Sequence, residues 1–257
     1  MTIASGSTGI SNVGQSAKSL LDSGRQDPGI KMLERVCRRE RDFHGSLAKA
    51  LGDSSVPVYP LVVTVGAPGG TTSLQVEAIN AFDTLHVAYK HPDYFQKIVF
   101  GHYSSSVLTQ YWEHMKETSW GEHGDVFLDA QLWSKRSMMV PTVWHSDAGE
   151  LFNDAGWIAY NLCTPFTYDI DPRDSRLFAL ALEEKLVIPE TERDVTIYIK
   201  WVQAVLQSGV FPFKDHNKND IGEPWASKAG QQIAGGFCWS FSAWTGDLKA
   251  GPHNNYK

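Results

Sequence analysis

Residues 58–79 read VYPLVVTVGAPGGTTSLQVEAI, and the rest of the chain is best understood from them. The first half is a β-branched run, and residues 56–65 therefore predict a strand. Ala67-Pro68-Gly69-Gly70 supplies turn chemistry. From Thr72 the pattern alternates, with Leu74, Val76 and Ala78 on one face and Ser73, Gln75 and Glu77 on the other. Two strands about a tight turn make a hairpin with one buried face.

Working outward, Asp83 is placed to cap a short helix over 84–90. His91-Pro92 interrupts it, and helical patterning resumes toward Lys116. Residues 125–166 mix short apolar runs with Gly, Pro and Asn, which predicts short strands and loops. Residues 174–185 read as a helix ended by Pro189. Asp194 is placed to cap another helix through Gln207, with Ile197, Trp201, Val202 and Val205 inward and Gly209 closing it. Upstream, Asp27-Pro28 opens a helix whose apolar stripe is Leu33, Val36, Cys37, Leu47 and Leu51, with Gly52 at its end. Residues 1–27 are small and polar. They read as an arm that is disordered alone or ordered on a neighbouring subunit. The domain organisation is thus an arm over 1–27 and one domain over 28–257.

Composition narrows the function classes. The chain has 257 residues and is 42% hydrophobic, enough for a full core. Nine Trp predict core filling and, secondarily, subunit contacts. A net charge of −6 argues against sequence-independent binding to nucleic acid. The one basic cluster, Arg35, Arg38, Arg39 and Arg41, is interrupted by Glu34, Glu40 and Asp42, as on a solvated helix face. Cys37, Cys163 and Cys238 lack metal or redox spacing and fit a reducing compartment. No apolar run approaches the ~20 residues of a membrane span, and the first 23 residues carry no secretory signal.

Three constellations could carry chemistry. Residues 66–73, Gly-rich after a strand, could cradle an anion on backbone N–H groups, but the spacing and the Lys of a phosphate loop are missing. A hairpin turn is the better reading. His145-Ser-Asp147 supplies two ligands of a non-haem iron site, which needs a distal His such as His216 or His253. The Arg expected after that His is absent, since no Arg follows Arg193. His102, His114 and His123 with nearby acids read as surface or hydrogen-bonded histidines. Gly-x-Ser-x-Gly is absent, and neither Ser104-Ser105-Ser106 nor Cys37 has a clear base partner. The sequence therefore assigns no catalytic and no metal-binding residue, and requires no cofactor.

Two stretches resemble a known family. The first is the hairpin with the following Asp83-Thr-Leu-His-Val-Ala-Tyr-Lys90. The second is Gly209-Val-Phe-Pro-Phe-Lys-Asp215-His-Asn217, which follows the helix carrying Tyr198 and Trp201 and precedes Gly222. This order of elements, and the aromatic-Pro-aromatic run before Asp-x-Asn, is similar to cypovirus polyhedrins. The likeness touches about a third of the chain; 125–190 carries no match, and the tail runs further beyond the motif.

The resemblance implies an α+β fold, an antiparallel jelly-roll-like β-sandwich with flanking helices and an N-terminal arm. It implies a viral occlusion-body matrix protein in the host-cell cytoplasm. Its partners would be itself, as trimers packed in a crystal lattice, and the virus particles it embeds. No membrane or sequence-specific nucleic acid is implied. Some members hold a nucleotide, for which no binding residue can be placed here. Such crystals dissolve at alkaline pH. The composition is compatible: neutralising Lys and ionising nine Tyr and three Cys around pH 10–11 would make the chain strongly negative. The other readings are an iron oxygenase on His145 and Asp147, and a viral coat protein.

Overall fold

The computed structural model describes residues 56–246 except 153–154 and 172–174. The N-terminal arm, the helix read over 28–52 and His253 lie outside the described residues. The fold is mixed α+β, with a two-stranded and a four-stranded sheet and several helices.

β1 (Val58–Ala67) and β2 (Gly70–Ile79) form the expected hairpin, with Ala67 opposite Gly70 across Pro68-Gly69. Gly69 has φ 87°, the left-handed value that the third residue of a Pro-Gly turn needs. Alternation holds on β1: Tyr59, Leu61, Val63 and Val65 are buried, while Pro60 and Val62 face out. Three helices follow: α1 (Ala81–Tyr89), α2 (Pro92–Phe100) and α3 (Val107–Lys116). α1 starts earlier than the sequence suggests. Asn80 is its N-cap residue and Asp83 lies buried in its first turn, so Asp83 is not the cap.

The region read as short strands and loops opens with two short helices, α4 (Asp125–Leu128) and α5 (Ala130–Ser134). It then gives one long strand, β3 (Met139–Phe152), and β4 (Ala155–Cys163). The helix expected over 174–185 is instead β5 (Leu177–Glu183). Its run Leu-Phe-Ala-Leu-Ala-Leu is rich in helix formers, but pairing with β4 between buried neighbours overrides that preference. α6 (Pro189–Ser208) begins five residues before Asp194, with Pro at its first position. Inside the helix, the Asp194 carboxylate accepts the Thr64 backbone N–H at 2.9 Å and ties α6 to β1. Ile197, expected inward, is exposed; Val195, Tyr198, Ile199, Val202, Val205 and Leu206 form the buried face. β6 (Cys238–Gly246), where the sequence reading assigns no element, completes the larger sheet in the order β5-β4-β3-β6. β6 runs parallel to β3, so that sheet is mixed and not purely antiparallel.

α6 lies across β1 and β6, and most buried residues join one core that includes hairpin, helices and sheet. Gln203 clasps helix to sheet. Its Oε1 accepts from Trp144 Nε1 at 3.0 Å and Thr142 Oγ1 at 3.1 Å, and its Nε2 donates to the Trp239 carbonyl at 2.8 Å. As expected, Gly209 closes α6, with φ 71° and ψ 14°. A Cβ there would stand 3.1 Å from both Cys238 Sγ and the Phe237 carbonyl oxygen. Gly209→Ala should therefore cost about 2 kcal/mol, from the left-handed backbone and the crowding together. Urea unfolding checks this, and an unshifted midpoint would contradict it.

Candidate functional site

The structure separates the candidate residues. Residues 66–73 run from β1 into β2, so the Gly-rich turn is followed by a strand and has no helix N-terminus behind it to hold an anion. His145 and Asp147 share a face of β3, with His145 Nε2 3.7 Å from Asp147 Oδ2. Both have other partners: His145 Nδ1 lies 2.9 Å from Thr245 Oγ1, and Arg176 lies 4.0 Å from Asp147. Burial, and then the Arg176 cation, hold the His145 imidazole below its usual range, against the pull of Asp147. His216 is engaged elsewhere, and no group of three His, Cys, Asp or Glu able to hold a metal occurs among the described residues. His102, His114 and His123 are exposed; His102 sits 3.9 Å from Asp169 and His123 the same distance from Glu122. Ser104 and Ser106 bond to each other at 2.6 Å on the surface. Cys163 and Cys238 are free thiols, and burial raises the pKa of both.

What the fold assembles instead is an aromatic cluster with a buried polar thread. β1 brings Tyr59, α6 brings Tyr198 and Trp201, and the irregular segment 210–237 brings His216 and Trp225. Tyr59 stacks on Tyr198 with ring centres 5.7 Å apart, and meets Trp201 at 5.3 Å and Trp225 at 5.4 Å. The Tyr59 hydroxyl lies 2.6 Å from His216 Nδ1. The Tyr198 hydroxyl donates to Asn80 Oδ1 at 3.0 Å, and Asn80 Nδ2 donates to Asp83 Oδ2 at 3.1 Å. Trp225 Nε1 donates to the same Asp83 oxygen at 2.7 Å. Asp83 Oδ1 has no hydrogen-bond partner among the described residues.

Burial sets the protonation of this cluster. It pushes the Tyr59 hydroxyl up to about 12, with the Asp215 charge adding to the effect. Tyr198, fully buried, is raised well above the usual range by burial, then by Tyr59 and Asp83. Asp83 is raised to about 6 by burial, against the opposing pull of its Trp225 and Asn80 hydrogen bonds. His216 is lowered by burial. The cluster is close-packed and tied by hydrogen bonds, the arrangement of a polar-threaded core that holds a segment in place.

A second feature faces solvent. A cavity of about 450 Å³ is lined by Trp112, Trp120, His123, Phe127, Gln207 and Phe241, among others. Trp120 and Phe241 are themselves exposed. Large apolar side chains stand out elsewhere too: Tyr168 is 89% exposed, Leu128 69% and Phe213 66%, far more than core packing requires of them. Composition signals many aromatics but not which of them remain outside. Among the described residues no helix is long and apolar enough to cross a membrane.

No family model matches the chain, and no curated protein or solved structure is significantly similar to it.

Proposed function

We propose that this chain is a structural protein that self-assembles into intracellular crystals, the matrix of a viral occlusion body that embeds and protects virus particles and dissolves at alkaline pH. In this reading the subunits form trimers packed into a lattice in the host cytoplasm, with the N-terminal segment tying trimers together. The finer fold expectation, a jelly-roll-like sandwich, belongs to the same proposal, as does a bound nucleotide that the role does not require. No residue need perform chemistry, because the working part is the surface.

One observation carries the reading. The two stretches that resemble polyhedrins, far apart in sequence, meet in a single cluster: Tyr59 of the hairpin packs on Tyr198, Trp201 and His216 of the helix and the segment after it. The aromatic-Pro-aromatic run divides its labour: Phe211 is fully buried while Phe213 stands exposed, available to a neighbouring subunit.

Expression of the full chain alone in insect cells tests this. Micron-sized intracellular crystals that dissolve in carbonate at about pH 11 and persist at pH 7 in dilute salt are the expected result. Closed shells would point to a coat protein. Near-stoichiometric iron, lost in a His145→Ala variant, would replace the proposal with the oxygenase reading.

A further inference from the structure

Among the described residues, Asp83 is a buried carboxylate with one oxygen unpartnered. It is 1% exposed, and one carboxylate oxygen takes two N–H donors while the other takes none among the described residues. The Trp225 donor belongs to a segment without strands or long helices. Backbone bonds from Gly230 N–H to the Phe211 carbonyl and from Ile233 N–H to the Gly209 carbonyl also pin it. Such a segment has few ladder bonds to lose, so local opening is its cheapest motion.

We propose that Asp83 is a proton-operated latch on segment 222–233: the closed core accommodates the neutral carboxyl, and ionisation, which places a charge there with Oδ1 unpartnered among the described residues, drives that segment to open locally even though the Trp225 bond itself favours the carboxylate. Opening admits water to the carboxylate and removes the cost of burying its charge.

The surrounding groups set the sign. Tyr198 from α6 and Tyr59 from β1 both have raised pKa values and stay neutral throughout the range in which a carboxyl titrates. His216 from the segment and His86 from α1 are both lowered by burial, so neither is a cation above pH 6.5, and their protonation below it disfavours the closed state, opposite in sign to Asp83. Lys228 is the cation that opposes the effect, and it lies behind the Trp225 and Asn80 hydrogen bonds in influence. The carboxyl pKa is raised in the closed state, from 3.8 to about 6. The Asp83 contribution to closure is therefore complete below pH 4 and is lost as pH rises through 6. A difference of about two pH units corresponds to an opening constant on the order of 100-fold larger above that window. The latch does not depend on the assembly reading, and exchange can be read on the chain in whichever state it is isolated, dispersed in solution or as suspended particles.

The test is amide hydrogen exchange at Gly230 and Ile233 between pH 4 and 8, corrected for the intrinsic pH dependence of exchange, with β3 and β4 amides as the internal reference. The wild type should show the 100-fold rise at Gly230 and Ile233 with a midpoint near pH 6, and no such rise in the reference strands. Asp83→Asn should show no rise with pH. Trp225→Phe keeps a ring but removes the N–H that favours the charged carboxyl, so its midpoint should move upward. A flat wild-type profile, an Asp83→Asn profile that still rises, or an unmoved midpoint in Trp225→Phe would each overturn the latch. If Asp83→Asn does not fold, the wild-type profile and the Trp225→Phe midpoint decide.

Discussion

Raising the pH from 9 to 12 should remove on the order of 5 kcal/mol from the folding stability of the subunit, a loss comparable with the whole stability of many domains. Four tyrosines have pKa values raised chiefly by burial: Tyr59, Tyr111, Tyr160 and Tyr198. For Tyr59 and Tyr160 the folded value is about 12, against 10 for an ordinary solvated tyrosine. A folded pKa above the unfolded one means the unfolded chain gives up its proton first. The stabilisation is then fully present below pH 10 and is lost as pH rises through 12. Two units correspond to about 3 kcal/mol per residue, and both residues are only 5% exposed, so solvent screens little of this. Tyr198 adds to the loss in the same direction.

Urea midpoints at pH 9, 11 and 12, followed by far-UV circular dichroism, measure this. Tyr59→Phe should lose some stability at pH 9, where its hydroxyl contacts His216, and should flatten the fall between pH 10 and 12 by about 2 kcal/mol. A wild-type midpoint unchanged from pH 9 to 12 would contradict the account. The consequence for the proposed role is specific. Surface charging around pH 10–11 and weakening of the subunit fall in one window, so alkaline release should be accompanied by loosening of the released protein.

The second large effect is expected at Trp144. Its side chain is fully buried on β3, its indole N–H is spent on Gln203 of α6, and its ring stacks on Trp244 of β6 at 6.4 Å. Trp144→Ala leaves a cavity where strand, neighbouring strand and helix meet, and should cost 3–5 kcal/mol or prevent folding; that range is about what such truncations cost generally. Trp144→Phe keeps most of the volume but strands one acceptor of Gln203, which Thr142 still satisfies in part, so it should cost about 1–2 kcal/mol. Chemical denaturation of both variants checks the ranking. Equal effects, or a loss below 1 kcal/mol for Trp144→Ala, would show that the helix–sheet clasp is not where the stability lies.

The parts of the fold that sequence pattern predicts correctly are those fixed by local rules. Residues 58–79 alternate on β2, are β-branched on β1 and carry Pro-Gly between, so the hairpin and its register follow. Gly209 is readable as a helix end because the left-handed position has so few alternatives. Elsewhere, distant partners decide. β5 is Leu- and Ala-rich and is a strand only because β4 offers it an edge. Asp194 looks like a cap, but Pro189 and the Thr191 hydroxyl, which accepts from the Ile188 N–H, start the helix earlier and leave Asp194 to bond β1. On β6, residues 239–243 alternate between aromatic or apolar and Ser, yet the alternation does not sort inside from outside. Trp239 is buried and Phe241, two residues on, is exposed beside the register shift that follows Thr142 of the paired strand.

The candidate site is less legible still. An acid in an apolar stretch, as at Asp83, reads as a helix cap. Its setting is made by Trp225, which bonds it, and Tyr198, which bonds the neighbouring Asn80, both more than a hundred residues away, and no local signal encodes that meeting. His145 and Asp147, two apart on a strand, do stand together on one strand face, as their spacing requires. Their surroundings, Thr245 and Arg176, come from β6 and from the approach to β5.

The central claim is assembly, and X-ray powder diffraction from the insoluble fraction of insect cells expressing only this chain tests it most directly. Sharp rings from a three-dimensional lattice, vanishing when the particles are taken to pH 11, are the predicted result. A soluble, monodisperse protein, or particles that give only diffuse scattering, would contradict it.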